Sequence, residues 1–254
     1  MPKFAANLSW LFTENDFPER FKLASDAGFF GAECLFPYDY NALEVASVLE
    51  DFNLEMVLIN APPGEWDKGE RGLAGVPGRQ AAFRDSINRA LEYALTINCR
   101  RIHVMAGCMS GEESRESCID TLKENLAFAA GLLGKNGLVA LLEPINGIDM
   151  PGYLVTKPDE AAEIITAVGS PHLGLQFDIY HCRKNGIDPL ESIRKHQGLI
   201  RHFQIAGLPG RNEPEATDPT LPLIDRMLPD VWVGCEYRPA GDTLSGLTWL
   251  SDRI

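Results

Sequence analysis

The feature that most constrains this chain is an alternation of short apolar runs with longer helical patterns, repeated eight times along 254 residues. Runs of four to seven mostly apolar residues, bounded by Gly, Pro or Asn, read as strands buried on both faces, as in a parallel sheet covered by helices. Strands are predicted at Phe4–Ser9, Phe30–Phe36, Glu55–Ile59, Arg101–Gly107, Leu138–Leu142, Leu173–Asp178, Ile200–Gln204 and Val231–Tyr237. Helices are predicted over Phe17–Asp26, Ala42–Asp51, Arg79–Asn98, Glu113–Leu133 (opened near Ser110 and closed by Gly134), Pro158–Val168, Pro189–His196 and Leu221–Met227, with a last turn or two at Gly246–Leu250. In the third of these, Phe83, Ile87, Leu91, Ala94 and Leu95 mark the buried face. Strict alternation at a length near the ~250 residues usual for such a barrel predicts one α/β domain, a (β/α)₈ TIM barrel spanning 1–254. No Gly-x-Gly-x-x-Gly follows the first strand, which leaves a dinucleotide-binding sheet without support.

In a barrel the carboxyl ends of the strands carry the chemistry. Four consecutive strands end on oxygen-bearing side chains: Glu143, Asp178, Gln204 and Glu236. One such acid serves equally well as a helix cap or an ion-pair partner. Four at one rim describe a site for a hard divalent cation, Mg²⁺ or Mn²⁺, completed by water or a chelating substrate. With five histidines and no His-x-x-x-His, a multi-zinc site has little to build on. Glu143 and Glu236 also form a chemical pair. One can take a proton from a carbon beside a carbonyl while the other returns it to the neighbouring carbon. That chemistry is 1,2-isomerisation of a small hydroxy-carbonyl compound, with a metal-assisted hydride shift on the same scaffold as the alternative route.

Four further residues read two ways. Arg71, on the long loop after the third strand, and Arg211, after the seventh, either clamp a substrate carboxylate or are solvated loop arginines. His103 and His181 either bond substrate or orient a ligand, or they are satisfied structural histidines. Trp66 and the Phe36–Tyr40 cluster either wall the pocket or pack the core. The formal charge of -13 argues against a nucleic-acid partner, although a small anion held by an arginine remains compatible with it. Six cysteines without a Cys-x-x-Cys pair read as core thiols of a cytoplasmic protein. The start Met1-Pro-Lys-Phe lacks a signal-like region, and no run is long enough for a membrane span. A homo-oligomer is compatible with the chain but marked by no stretch of it.

The chain resembles the hydroxypyruvate isomerase family, which includes the 2-oxo-tetronate isomerases, within the xylose-isomerase-like TIM barrels. The similar segments are Phe4-Ala-Ala-Asn-Leu-Ser, Phe36-Pro-Tyr-Asp-Tyr, Gly69-Glu-Arg-Gly, Pro77-Gly-Arg, His103-Val-Met-Ala-Gly, Leu142-Glu-Pro-Ile-Asn, Phe177-Asp-Ile-Tyr-His, Gln204-Ile-Ala-Gly and Gly234-Cys-Glu-Tyr. They span nearly the whole chain in order. The resemblance implies metal ligands at Glu143, Asp178, Gln204 and Glu236 and an acid/base pair at Glu143 and Glu236. It implies a small anionic hydroxy-oxo acid as substrate, hydroxypyruvate or 2-oxo-tetronate, with a sugar 3-epimerase or a non-catalytic metabolite-binding barrel as alternatives. Related sugar epimerases place a histidine where this chain has Gln204. After Arg211-Asn-Glu-Pro the family continues with a Gly-Glu-Ile-Asn-Tyr-like segment, whereas here Glu215-Ala-Thr-Asp-Pro-Thr-Leu-Pro follows, implying a different loop over the site.

Overall fold

The structure, a computed structural model, describes residues 2–109, 111 and 113–250. Eight parallel strands close into a barrel in sequence order: β1 (Lys3–Asn7), β2 (Gly31–Cys34), β3 (Glu55–Asn60), β4 (Arg101–His103), β5 (Val139–Leu142), β6 (Leu173–Asp178), β7 (Ile200–Ile205) and β8 (Trp232–Cys235), with β8 pairing back onto β1. The predicted (β/α)₈ fold is the one observed. Around it lie α1 (Phe17–Asp26), α2 (Ala42–Asp51), α3 (Gln80–Thr96), α4 (Arg115–Lys135), α5 (Pro158–Val168), α6 (Ile179–Lys184), α7 (Pro189–His196), α8 (Thr220–Met227) and α9 (Thr243–Gly246). No helix among the described residues is long and apolar enough to cross a membrane, and all six cysteines are free thiols.

Strand alternation sorts the side chains. Phe4 and Ala6 of β1 join the large core between barrel and helices. Ala5 faces the other way and, with Val57, Leu58, Leu141 and Trp232, fills the barrel interior in a small separate cluster. Two residues further along the same face stand Asn7 on β1, Glu143 beyond β5 and Gly234 on β8. The barrel is thus plugged by apolar side chains below and turns polar toward its carboxyl end.

The sequence reading differs from the structure at three helices. Gly134 lies inside α4 rather than ending it. A Cβ there would lie 2.4 Å from the His172 ring, so the glycine serves close packing against the approach to β6. The predicted opening near Ser110 lies outside the described residues, but Ser114 caps α4 by accepting from the Ser117 amide. Helix α6 was not predicted: at six residues it is too short to show a period, and its cap is Asp178 itself. In α3, Leu95 is 49% exposed. Steps of four overshoot a helical turn by ~40° each, so three of them carry Leu95 ~120° from Phe83 and onto the solvent side.

The long loop after β3 folds back on the barrel rim. Gly72 has φ 114°, and a Cβ on it would meet the Met105 carbonyl at 2.4 Å. Gly72→Ala therefore combines backbone strain with a clash against main chain. It is expected to destabilise the protein by more than ~1 kcal/mol, read as a lowered urea midpoint at unchanged slope.

Candidate active site

The carboxyl-terminal mouth of the barrel holds a cavity of about 450 Å³. Its wall includes Glu143, Glu236, His103, His181, Arg71 and Arg211, which brings six of the eight residues singled out in the sequence to one place. Asp178 and Gln204 sit behind that wall, in contact with Arg211 and Gln176 respectively. Phe36 and Trp66 also line the cavity. Tyr38 instead turns away to donate to the Asn60 carbonyl, and Tyr40 stacks on Phe17. A wider cavity of about 1140 Å³ opens at the opposite rim, beside Phe4, Met56 and Trp232. Barrel chemistry belongs to the carboxyl end, and the clustered acids are there.

Asp178 divides its two oxygens. Oδ1 caps α6 by accepting from the Tyr180 amide at 2.7 Å and the His181 amide at 3.4 Å. Oδ2 faces the site, 3.2 Å from Arg211 Nη2 and 3.5 Å from His181 Nε2. Arg211 Nη2 also donates to Glu236 Oε1 at 2.8 Å, and its guanidinium lies 4.8 Å from the Trp10 ring and 5.0 Å from that of Tyr180. The Arg211 backbone adopts φ 59°, and its carbonyl accepts from the Arg238 amide at 2.7 Å. A left-handed backbone on a non-glycine residue at a site of this kind marks strain maintained by the surrounding contacts.

Glu143, Asp178 and Glu236 are all buried, with a single guanidinium between them. Burial raises the pKa of each. Glu143 is pushed well up by desolvation and then by repulsion from Glu236 and Asp178. Desolvation raises Asp178 against the pull of Arg211. Glu236 rises to about 8 by desolvation, with Arg211 opposing and Asp178 and Glu33 adding repulsion. Burial works against the charge on Arg211, but the three carboxylates together prevail and raise its pKa. Such a set is short of positive charge. Oxygen donors in that state suit a hard divalent cation.

His181 offers a nitrogen to the same volume: donor atoms of Glu143, Asp178 and His181 lie within 4.8 Å of one another. The hydrogen bonds decide its form. Asn146 Oδ1 accepts from the Ile148 and Asp149 amides at 3.1 and 2.8 Å, which turns its Nδ2 toward Asp149 Oδ2 at 3.0 Å and His181 Nδ1 at 2.6 Å. Nδ1 is therefore the acceptor, and the hydrogen of the neutral ring is on Nε2, aimed at the acids. Burial, then Arg211, holds the His181 pKa well below the usual histidine range. A ring with Nε2–H is a donor and leaves cation binding to the oxygens. Asn146→Asp would place an acceptor against Nδ1 and move the hydrogen there. The variant is expected to shift the His181 ¹⁵N resonances to the other tautomer and to lower kcat on the order of 10²-fold, because Nε2 then presents no hydrogen to the site.

His103 is neutral as well. Burial, then the neighbouring His181 and His202, lower its pKa to about 3. Its Nδ1 lies 3.4 Å from Glu143 Oε2, and neither ring nitrogen has a hydrogen-bond partner among the described residues. Arg71 stacks on Trp66, 3.8 Å from the ring centroid, and donates through Nη1 to the Trp66 and Glu70 carbonyls; its Nη2 has no hydrogen-bond partner among the described residues. Gln204 accepts from Gln176 Nε2 on Oε1 at 2.7 Å and donates through Nε2 to Glu33 Oε1 at 2.9 Å; a cation would use the remaining lone pair of Oε1. Sequence reasoning missed Trp10, Asn146, Gln176 and Tyr180. The period-2 rule could have found Gln176, two residues before Asp178 on one strand. Trp10 sits in a loop and gave no signal.

The family described as xylose isomerase-like TIM barrel matches residues 21–253. This chain belongs to that class, as the closed eight-strand barrel and its rim of acids already indicated. Within it, the chain belongs to the hydroxypyruvate isomerase family, which includes the 2-oxo-tetronate isomerases. It is 45% identical over 254 residues to the 2-oxo-tetronate isomerase of Cupriavidus necator, covering 98% of each chain. It is 39% identical to the hydroxypyruvate isomerase of Escherichia coli, again over 98% of both. A crystal structure described as AP endonuclease, family 2, from Brucella melitensis superposes with a TM-score of 0.95 at 43% identity, covering 100% of this chain and 99% of the other.

Proposed function

We propose that the protein is a divalent-metal-dependent isomerase of a small hydroxy-oxo acid, interconverting hydroxypyruvate and 2-hydroxy-3-oxopropanoate or the four-carbon 2-oxo-tetronate pair. The observation that carries this reading is that Glu143 and Glu236, both buried and both raised in pKa, face one cavity together with the donors of His181, Arg71 and Arg211. Relatives named for these two activities add support. Glu143, Asp178, Gln204 and Glu236 would hold Mg²⁺ or Mn²⁺. When bound, the cation supplies positive charge that keeps the carboxylates ionised and stabilises negative charge developing on the substrate oxygens.

The remaining work falls to the chain. Arg71, or Arg211 released from its carboxylates, holds the substrate carboxylate by a forked contact. His181 donates from Nε2 to the carbonyl oxygen, a role that a neutral ring fills without releasing its proton. One glutamate takes the proton from C3, the C2–C3 enediolate forms, and the other glutamic acid protonates C2. The hydroxyl proton moves from O3 to O2, so the ketone becomes an aldehyde with no net gain or loss of atoms. Trp10, Phe36, Trp66 and Met105 line the cavity and restrict water.

The test is conversion of hydroxypyruvate by Mn²⁺-loaded protein in D₂O, followed by NMR. Deuterium bound to C2 of the product is expected. Absence of conversion, or complete conversion without any carbon-bound deuterium, contradicts the proposal.

A further inference from the structure

Beneath the acids lies a chain of amides whose direction is set by one carboxylate. Glu33, 1% exposed inside the barrel, receives three groups. Asn7 Nδ2 and Gln204 Nε2 donate to Oε1, each at 2.9 Å, and His202 Nε2 lies 2.6 Å from Oε2. Room for the carboxylate comes from β8, where a Cβ on Gly234 would lie 2.3 Å from both of its oxygens.

A carboxylate engaged this way only accepts. Gln204 must therefore turn its NH₂ to Glu33 and its oxygen to Gln176. Gln176 in turn must meet that oxygen with its own NH₂, at 2.7 Å. Its Oε1 is thereby forced to the far side. Gln176 lines the substrate cavity, is 1% exposed, and has no hydrogen-bond partner for Oε1 among the described residues. A buried acceptor without a donor is unfavourable and strongly favours a ligand that brings one. Glu143 and Glu236 present acceptors to the same cavity, and His181 and the arginines present donors. An amide oxygen beside them adds a neutral acceptor that a proton cannot readily switch off.

We propose that Gln176 Oε1 receives a hydrogen bond from a hydroxyl group of the substrate, making it a specificity residue for hydroxy acids over deoxy acids, and that Glu33 is the positioning residue that orients it through Gln204. The inference rests on the reading of the site as one for a small hydroxy-oxo acid. Loss of a buried hydrogen-bond partner discriminates far more strongly than loss of a methylene, which gives the expected direction.

The experiment measures binding rather than turnover. Calorimetry on Mn²⁺-loaded protein compares glycerate with lactate and 3-hydroxypropanoate, acids that each lack one of its hydroxyls and cannot isomerise. In the wild type, one deoxy acid is expected to bind at least ~10-fold more weakly than glycerate. In Gln176→Met that penalty is expected to disappear, because glycerate weakens while the deoxy acid keeps its affinity. Glu33→Gln removes the obligatory acceptor at nearly constant volume and is expected to reduce the penalty several-fold while the Gln176 side chain itself is retained. It serves also if Gln176→Met does not fold. A penalty that survives in both variants, or in Glu33→Gln alone where the methionine variant is lost, overturns the proposal. So does a wild type that shows no penalty, and in that case the isomerase reading stands if hydroxypyruvate still turns over. A wild type that binds none of the acids and converts no hydroxypyruvate overturns both.

Discussion

Glu143→Gln and Glu236→Gln are each expected to lower kcat for the hydroxy-oxo acid ~10³-fold, within the range a positioned acid or base contributes. The substitutions keep side-chain volume and remove the ability to carry a proton between carbons. In a site where one carboxyl takes the proton and the other returns it, either change stops the same turnover. The double variant is therefore expected to be little worse than either single one, as groups acting as a unit are not additive. Both residues are also proposed ligands, which makes cation binding a necessary control. Mn²⁺ titration of each variant separates a lost proton carrier from a lost ligand. Activity within a few-fold of the wild type in either variant would remove that residue from the proton path.

Chelation is the second large effect expected. Stripping divalent cations should reduce kcat ~10³-fold, corresponding to several kcal/mol of charge stabilisation, with recovery on adding Mn²⁺ or Mg²⁺. Stability should respond with a definite sign. Glu236 has a folded pKa of about 8 against an ordinary 4.5, with desolvation the leading cause. Between those values the cation-free folded protein holds a proton that the unfolded chain has released. The stability that Glu236 contributes is fully present below about 4.5 and is lost as pH rises through about 8. Glu143 and Asp178, raised for the same leading reason, act in the same direction. A bound cation keeps the carboxylates ionised in the folded protein and stabilises it by mass action, ~2.7 kcal/mol at a hundredfold excess over Kd. Thermal unfolding from pH 5 to 9 should therefore show a declining midpoint in chelator and a higher, flatter one in Mn²⁺. Coincident curves would contradict a cation site at these carboxylates.

The barrel was legible because each strand announces itself locally. Val139–Leu142 is an apolar run between Asn136-Gly137 and Pro144, and no other element fits it. The acids were legible for a related reason: Glu143 and Glu236 each follow a strand directly, and strand ends in a barrel share one rim. Asp178 was harder to interpret, since a strand-ending Asp before a helix also reads as a cap. It is both, one oxygen for each role. What stayed hidden depends on contacts between distant segments. Nothing near Glu33 in the sequence shows that its carboxylate reaches His202 and Gln204 across the barrel. Asn146 stood in the motif from the start, yet its effect on His181 needs the turn that hands its oxygen to two backbone amides. Helix α6 stayed hidden because six residues carry no period.

The most direct test of the central claim is a substrate comparison on Mn²⁺-loaded protein: hydroxypyruvate, 2-oxo-tetronate and a six-carbon ketose. The expected result is isomerisation of one or both acids, with kcat/KM at least ~10³-fold above that for the ketose, since a site built around charged and hydrogen-bonding groups rejects ligands that leave them unpaired. Epimerisation of the ketose with neither acid reacting would contradict the account and assign the same two glutamates to sugar chemistry.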